Sequence, residues 1–159
     1  MSQVLGVKET DLFELRRPQH LFGEVQKAMV EYYQEPNSRL LLFLLFSLNH
    51  LREWIAEAGY ESLMAKRRSG RALLPNEELF FQLGGMEEFQ IINALCNRSK
   101  HFDVRRGGGS GTSVTSGMNC NSPCDDSLGQ VYYRIDGVDS REIFFPVMRQ
   151  YYEWFARNG

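Results

Sequence analysis

The string Asn97-Arg98-Ser99-Lys100-His101 closes a stretch of helical periodicity in the second half of the chain. An imidazole titrates near neutrality, a lysine or arginine neutralises a phosphate, and a carboxamide positions a ligand by donating and accepting together. Metal-independent RNA cleavage needs those functions: proton transfer at the 2′-hydroxyl and the leaving oxygen, and charge stabilisation at phosphorus. At about 100° per residue, Ile92, Leu95, Cys96, Ser99 and Phe102 share a core-facing side. Asn93, Asn97, Lys100 and His101 form a contiguous arc on the opposite side, and Arg98 falls outside it. His101 is therefore the candidate general acid–base, Lys100 and Arg98 are candidate phosphate ligands, and Asn97 is a candidate positioning group. The plainer alternative is a polar face that is simply solvated.

A second constellation, Asn49, His50, Arg52 and Glu53, interrupts an otherwise apolar helix. Polar groups on such a helix need partners. The reading favoured by that need is a structural network in which Glu53 pairs with Arg52 or with an arginine elsewhere. The functional reading places Glu53 opposite His101, where a carboxylate would orient the imidazole as a third catalytic group. Basic residues cluster at Lys66-Arg67-Arg68, with Arg71 close by, and again at Arg105-Arg106. Gathered on one face with Arg98 and Asn97, they would suit a nucleic-acid backbone. Otherwise they are solvated loop charges.

The remaining motifs are negative. Cys120-Asn121-Ser122-Pro123-Cys124 has a spacing tolerable for zinc, but no second pair of Cys or His follows, and a closed zinc site takes four ligands. No metal is expected. Gly107 to Gly109 lack the Gly-Lys-Ser/Thr ending of a phosphate loop, and no Gly-x-Ser-x-Gly elbow occurs, so no cofactor is expected either.

These groups must be held by a scaffold. A chain of 159 residues suits one domain, which buries roughly 70% of its unfolded surface. Aromatic residues at 13% favour a real core over disorder, and a net charge of −2 argues neither for nor against nucleic acid. Three cysteines, an odd number, and no secretory signal point to the reducing cytoplasm. The apolar run Leu40 to Phe46 is far shorter than the ~20 residues of a membrane span.

Helical periodicity begins at Pro18, with Leu21, Phe22, Val25 and Met29 on one side. Asn37 or Ser38 caps a second helix that runs to about Ala58 and stops at Gly59. Its first two turns are apolar all round, which predicts a central position, and Leu44, Leu48, Leu51 and Ile55 continue its buried stripe. Residues 66 to 71 read as a basic connector, and Asn76 as the cap of a short helix over Glu77 to Leu83. A further helix spans about Met86 to His101. Residues 107 to 117 are almost pure turn formers and read as a flexible loop within about 105 to 128. Val131 to Ile135 alternates like a strand, Asp136-Gly137 signals a hairpin, and Arg141 to Phe145 is the expected return strand. Pro146 then opens a last helix buried through Val147, Tyr151, Trp154 and Phe155. The expected fold is mainly α: one helical bundle of four to five helices over residues 1–159, with a small antiparallel β-hairpin before the C-terminal helix.

Asn49-His50-Leu51-Arg52-Glu53-Trp54-Ile55 on one helix, with Ala94-Leu95-Cys96-Asn97-Arg98-Ser99-Lys100-His101-Phe102 ending another, resembles small bacterial helical proteins of the HEPN superfamily. The glycine-rich stretch, the hairpin and the final Tyr151-Tyr152-Glu153-Trp154-Phe155 helix add to the likeness, which covers about residues 38 to 157. The resemblance implies a four-helix core, a homodimer, and RNA cleavage in toxin–antitoxin pairs or in phage–host conflict. HEPN nucleases carry an Arg five to seven positions before the His. Here the matching positions hold Ala94, Leu95 and Cys96, and Arg98 lies too close to His101. Two expectations follow. The first is an RNA-directed domain acting as a metal-independent ribonuclease. The second is a non-catalytic module, a dimerising adaptor or an inhibitor of a defence or toxin protein, that contacts a protein partner through residues 107 to 124.

Overall fold

Pro18 stands in the first turn of helix α1 (Pro18–Gln34), where its missing N–H leaves no bond unmade. The computed structural model describes residues 13–101, 111–120 and 122–159, and at Lys100 and His101 only the backbone. Asn37 caps helix α2 (Ser38–Ala56), its Oδ1 accepting from Leu40 N at 3.0 Å. Glu57, in the left-handed conformation at φ 53°, ends α2, so the stop lies ahead of Gly59. Gly59 instead precedes helix α3 (Tyr60–Arg68), and Lys66, Arg67 and Arg68 form the last turn of that helix where a connector was expected. Cations suit that end because they oppose the negative pole of the helix dipole.

Helix α4 (Pro75–Gly84) begins at Pro75 and not at Asn76. The Glu77 carboxylate accepts from Leu74 N at 2.7 Å, half of a capping box, while Asn76 Nδ2 donates to Ile55 O at 3.0 Å and ties α4 to α2. Helix α5 (Glu87–His101) follows after the Gly84-Gly85 break.

Strand β1 (Thr112–Ser116) lies inside the stretch that reads as a flexible loop. It pairs antiparallel with β2 (Val131–Ile135), Val114 opposite Tyr133. Asp136 and Gly137 both have positive φ, 51° and 83°, as a two-residue hairpin turn of type I′ requires. The return strand β3 is only Val138–Asp139. Arg141 to Phe145 belong to helix α6 (Ser140–Asn158), which starts early because Asp139 accepts from Arg141 N at 3.0 Å and caps it. Pro146 therefore lies inside α6, where it leaves the Glu142 carbonyl without its helical donor. The described residues thus form six helices and one three-stranded antiparallel sheet, β1-β2-β3, before the C-terminal helix. None of these helices is long and apolar enough to cross a membrane.

Helix α2 packs against α1, α4 and α5, and α6 closes the bundle over α1 and α5. Leu44, Leu48, Leu51 and Ile55 of α2 meet Val25 and Met29 of α1, Phe89 and Ile92 of α5, and Phe144, Val147 and Tyr151 of α6 in one core. Each such side chain contributes about 1.5–3 kcal/mol by leaving water. The first turns of α2 differ from expectation: Leu42 and Phe43 are exposed, because α1 covers only one side of that end. In α6 the stripe is deep at Val147 and Tyr151 and shallower at Trp154 and Phe155.

Candidate functional site

Where α2 and α5 cross, the polar groups of both helices face a pocket of about 450 Å³. Asn49, His50, Arg52 and Glu53 come from α2, Gln90, Asn93 and Asn97 from α5, and Tyr60 and Gly84 close the sides. The sequence places these groups through helical spacing. Asn49 and Glu53 are one turn apart on α2, as are Asn93 and Asn97 on α5, and the apolar stripes that bury each helix turn these edges toward one another.

Arg52 forms the floor. It is 9% exposed, and its guanidinium carbon lies 4.1 Å from the Phe80 ring centroid and 4.4 Å from that of Phe89. Its Nε is buried without a hydrogen-bond partner, and no carboxylate forms an ion pair with it among the described residues. Burial pushes its pKa down from the usual arginine value, and nearby Glu53 and Tyr151 oppose that shift. A Cβ at position 84 would stand 3.4 Å from Arg52 Nη1, so Gly84 leaves the guanidinium room. Gln90 Nε2 donates to Gly84 O at 3.0 Å and fixes this corner.

Asn49 is 5% exposed. Its Nδ2 donates to Cys96 Sγ at 3.5 Å, and its Oδ1 is buried with no partner. Glu53 is half-buried and does not pair with Arg52: its Oε2 lies 3.5 Å from His50 Nδ1. The expected network of Glu53 with an arginine is thus replaced by a carboxylate–imidazole pair one turn apart. The reason is geometric, since Phe80 and Phe89 hold the Arg52 guanidinium against α4 and α5.

Of the other candidate residues, those with described side chains gather at this pocket only at Asn97. Asn97 is exposed and lines the pocket, whereas Arg98, also exposed, does not. Lys100 and His101 occupy the last turn of α5, one turn beyond Asn97, and their side chains lie outside the described residues, as do Arg105, Arg106 and Phe102. Lys66 Nζ reaches both carboxylate oxygens of Glu77, at 2.8 and 2.6 Å, and so helps to anchor the start of α4. The backbone of Leu74, followed by Lys66, holds the Glu77 carboxyl below its ordinary pKa. Arg67 lies over the Phe81 ring at 4.7 Å, and Arg68 is exposed. Cys120 and Cys124 are exposed thiols, and no three His, Cys, Asp or Glu gather as a metal site among the described residues.

The central members of the pocket, Asn49, His50 and Arg52, are visible in sequence as a polar run on an apolar helix. Their role depends on what lies opposite, and periodicity does not report that. The pocket offers a buried cation, an orphan acceptor, an imidazole paired with a carboxylate, and a rim of carboxamides. Comparison of the chain with protein-family models, with curated proteins and with solved structures gave no match.

Proposed function

We propose that the chain is an RNA-directed, HEPN-like domain that cleaves RNA without a metal, in a toxin–antitoxin or phage–host setting. The observation that carries the reading is the His50–Glu53 pair, Nδ1 to Oε2 at 3.5 Å, on the wall of a pocket otherwise rich in carboxamides. A carboxylate at Nδ1 leaves Nε2 as the nitrogen that exchanges a proton with substrate. In this scheme His50 takes the proton of a 2′-hydroxyl or returns one to the leaving 5′-oxygen. His101, from the last turn of α5, supplies the second proton transfer, and Lys100 adds charge at phosphorus. Glu53 orients His50, a different imidazole from the His101 assigned to it by sequence.

The test is cleavage of labelled single-stranded and hairpin RNAs in EDTA. His50→Ala and His101→Ala are each expected to lower the rate by about 10²- to 10⁴-fold, the usual worth of a positioned acid or base. Melting temperature should hold for His50→Ala, because His50 is about one-third exposed at the side chain and fills no core space. A wild-type protein inert on all of these RNAs would falsify the cleavage reading.

A second reading, a protein-binding module, has its own support. Strand β1 is the outer strand of the sheet, pairs only with β2 among the described residues, and exposes Val114 at 62%. An open strand edge is a template for another chain.

A further inference from the structure

We propose that Arg52 is the anion anchor of the α2–α5 pocket, and that its ligand is a phosphoryl group on a hydroxyl- or N–H-bearing carrier such as a ribonucleotide. This deepens the RNA reading and rests on it only for the source of the nucleotide. The argument starts from a contrast within the molecule. Arg141 is also buried and is fully matched, with Asp126 and Asp139 each 2.8 Å from its Nη2. Arg52 has no ion pair among the described residues: two aromatic rings cover it, its Nε is orphaned, and the nearby Glu53 carboxylate turns to His50. A buried cation without a counter-charge is costly, and an incoming anion removes that cost.

The shape of the site selects the anion. Guanidinium presents a planar fork that matches two oxygens of a phosphoryl group, and the Phe80 and Phe89 rings hold its plane. A phosphoryl group has further oxygens, and Asn93 and Asn97 on the same wall carry amide donors for them. Asn49 Oδ1, buried and unpaired, would take a donor such as a ribose hydroxyl or base N–H, which a fully ionised phosphoryl group lacks. A volume of about 450 Å³ lies within the range of small-ligand sites.

The experiment is calorimetric titration of the full chain with inorganic phosphate, cytidine, 3′-cytidine monophosphate and a ten-nucleotide single-stranded RNA. The monophosphate and RNA are expected to bind, cytidine at least tenfold more weakly than the monophosphate. Arg52→Met should lower monophosphate affinity by about tenfold or more, as loss of a charged hydrogen-bonding group does. Because Arg52→Met removes a packed side chain, Asn97→Asp provides the second arm. Position 97 is exposed, so the fold holds, and the added carboxylate at the rim should repel the same ligands about tenfold. If Arg52→Met does not fold, Asn97→Asp decides. Monophosphate binding that depends on Arg52 or Asn97 without any RNA binding sustains the anchor and overturns the RNA reading. RNA binding at wild-type strength in both variants overturns the anchor and leaves the RNA reading standing. No binding of any probe overturns both.

Discussion

Asn49 and Arg52 are polar side chains buried at a helix crossing with hydrogen-bonding capacity unused. An unmatched buried polar atom costs about 1–3 kcal/mol, so a residue kept for folding alone would be better replaced by an apolar one. Asn49→Leu is therefore expected to raise the melting temperature by about 2–4 °C per kcal/mol recovered, while weakening nucleotide binding in the same titration. Equilibrium urea unfolding beside that titration separates the two effects. A clear loss of stability would mean that the Asn49 contact with Cys96 matters more than the orphan oxygen, and that Asn49 serves the fold. Cys96 and Asn97 mark the limit of what residue type reveals. One is core and its neighbour is pocket rim, a difference that helical spacing already predicts. That Arg52 has no ion pair among the described residues is invisible until Phe80 and Phe89 are placed beside it.

At the scale of elements, Arg141 is the joint between sheet, loop and helices. Its guanidinium donates to both oxygens of Asp126 at 2.9 and 2.8 Å, to Asp139, and to Tyr33 O at the end of α1 at 3.1 Å. Tyr132 Oη adds a bond to Asp126 at 2.9 Å, and Tyr32 Oη and Ser140 Oγ lie 2.8 Å apart between α1 and α6. Arg141→Met would leave two carboxylates buried without their cation, so a loss of about 3–5 kcal/mol is expected in urea unfolding. Hydrogen bonds from Arg141, aided by Tyr132, hold the Asp126 carboxyl below its ordinary pKa. A depressed folded-state pKa contributes stability that is complete above the unfolded value of about 3.9 and is lost as pH falls through the folded value. Wild type should accordingly lose stability more steeply than Asp126→Asn below about pH 4. Equal slopes would remove Asp126 from the account of acid unfolding. The same joint explains the short return strand: Asp139 serves Arg141 and the α6 cap together, so pairing ends there.

For the whole molecule, the protein-binding reading is tested at the sheet edge. Val114→Lys places a charge on the exposed outer strand and is expected to leave melting unchanged while abolishing any partner captured by the wild-type chain. A partner retained by that variant would rule out the edge as its contact. The sequence by itself determined the mainly helical class, the helix start at Pro18, a cap at Asn37 or Ser38, the buried stripes of α2 and α6, and the Asp136-Gly137 turn. These are local: they follow from side-chain spacing and from which residues tolerate a given backbone angle. Helical spacing also set Asn97 toward the rim, and Asn97 lines the pocket. Tertiary structure alone decided the rest. It made a strand of Thr112–Ser116, because β2 has an edge that needs a partner, and turned Lys66 inward to Glu77. It left Arg52 buried in the floor of a polar pocket without an ion pair among the described residues. Charge pairing and burial depend on what another element brings across the crossing, and no window of consecutive residues contains that.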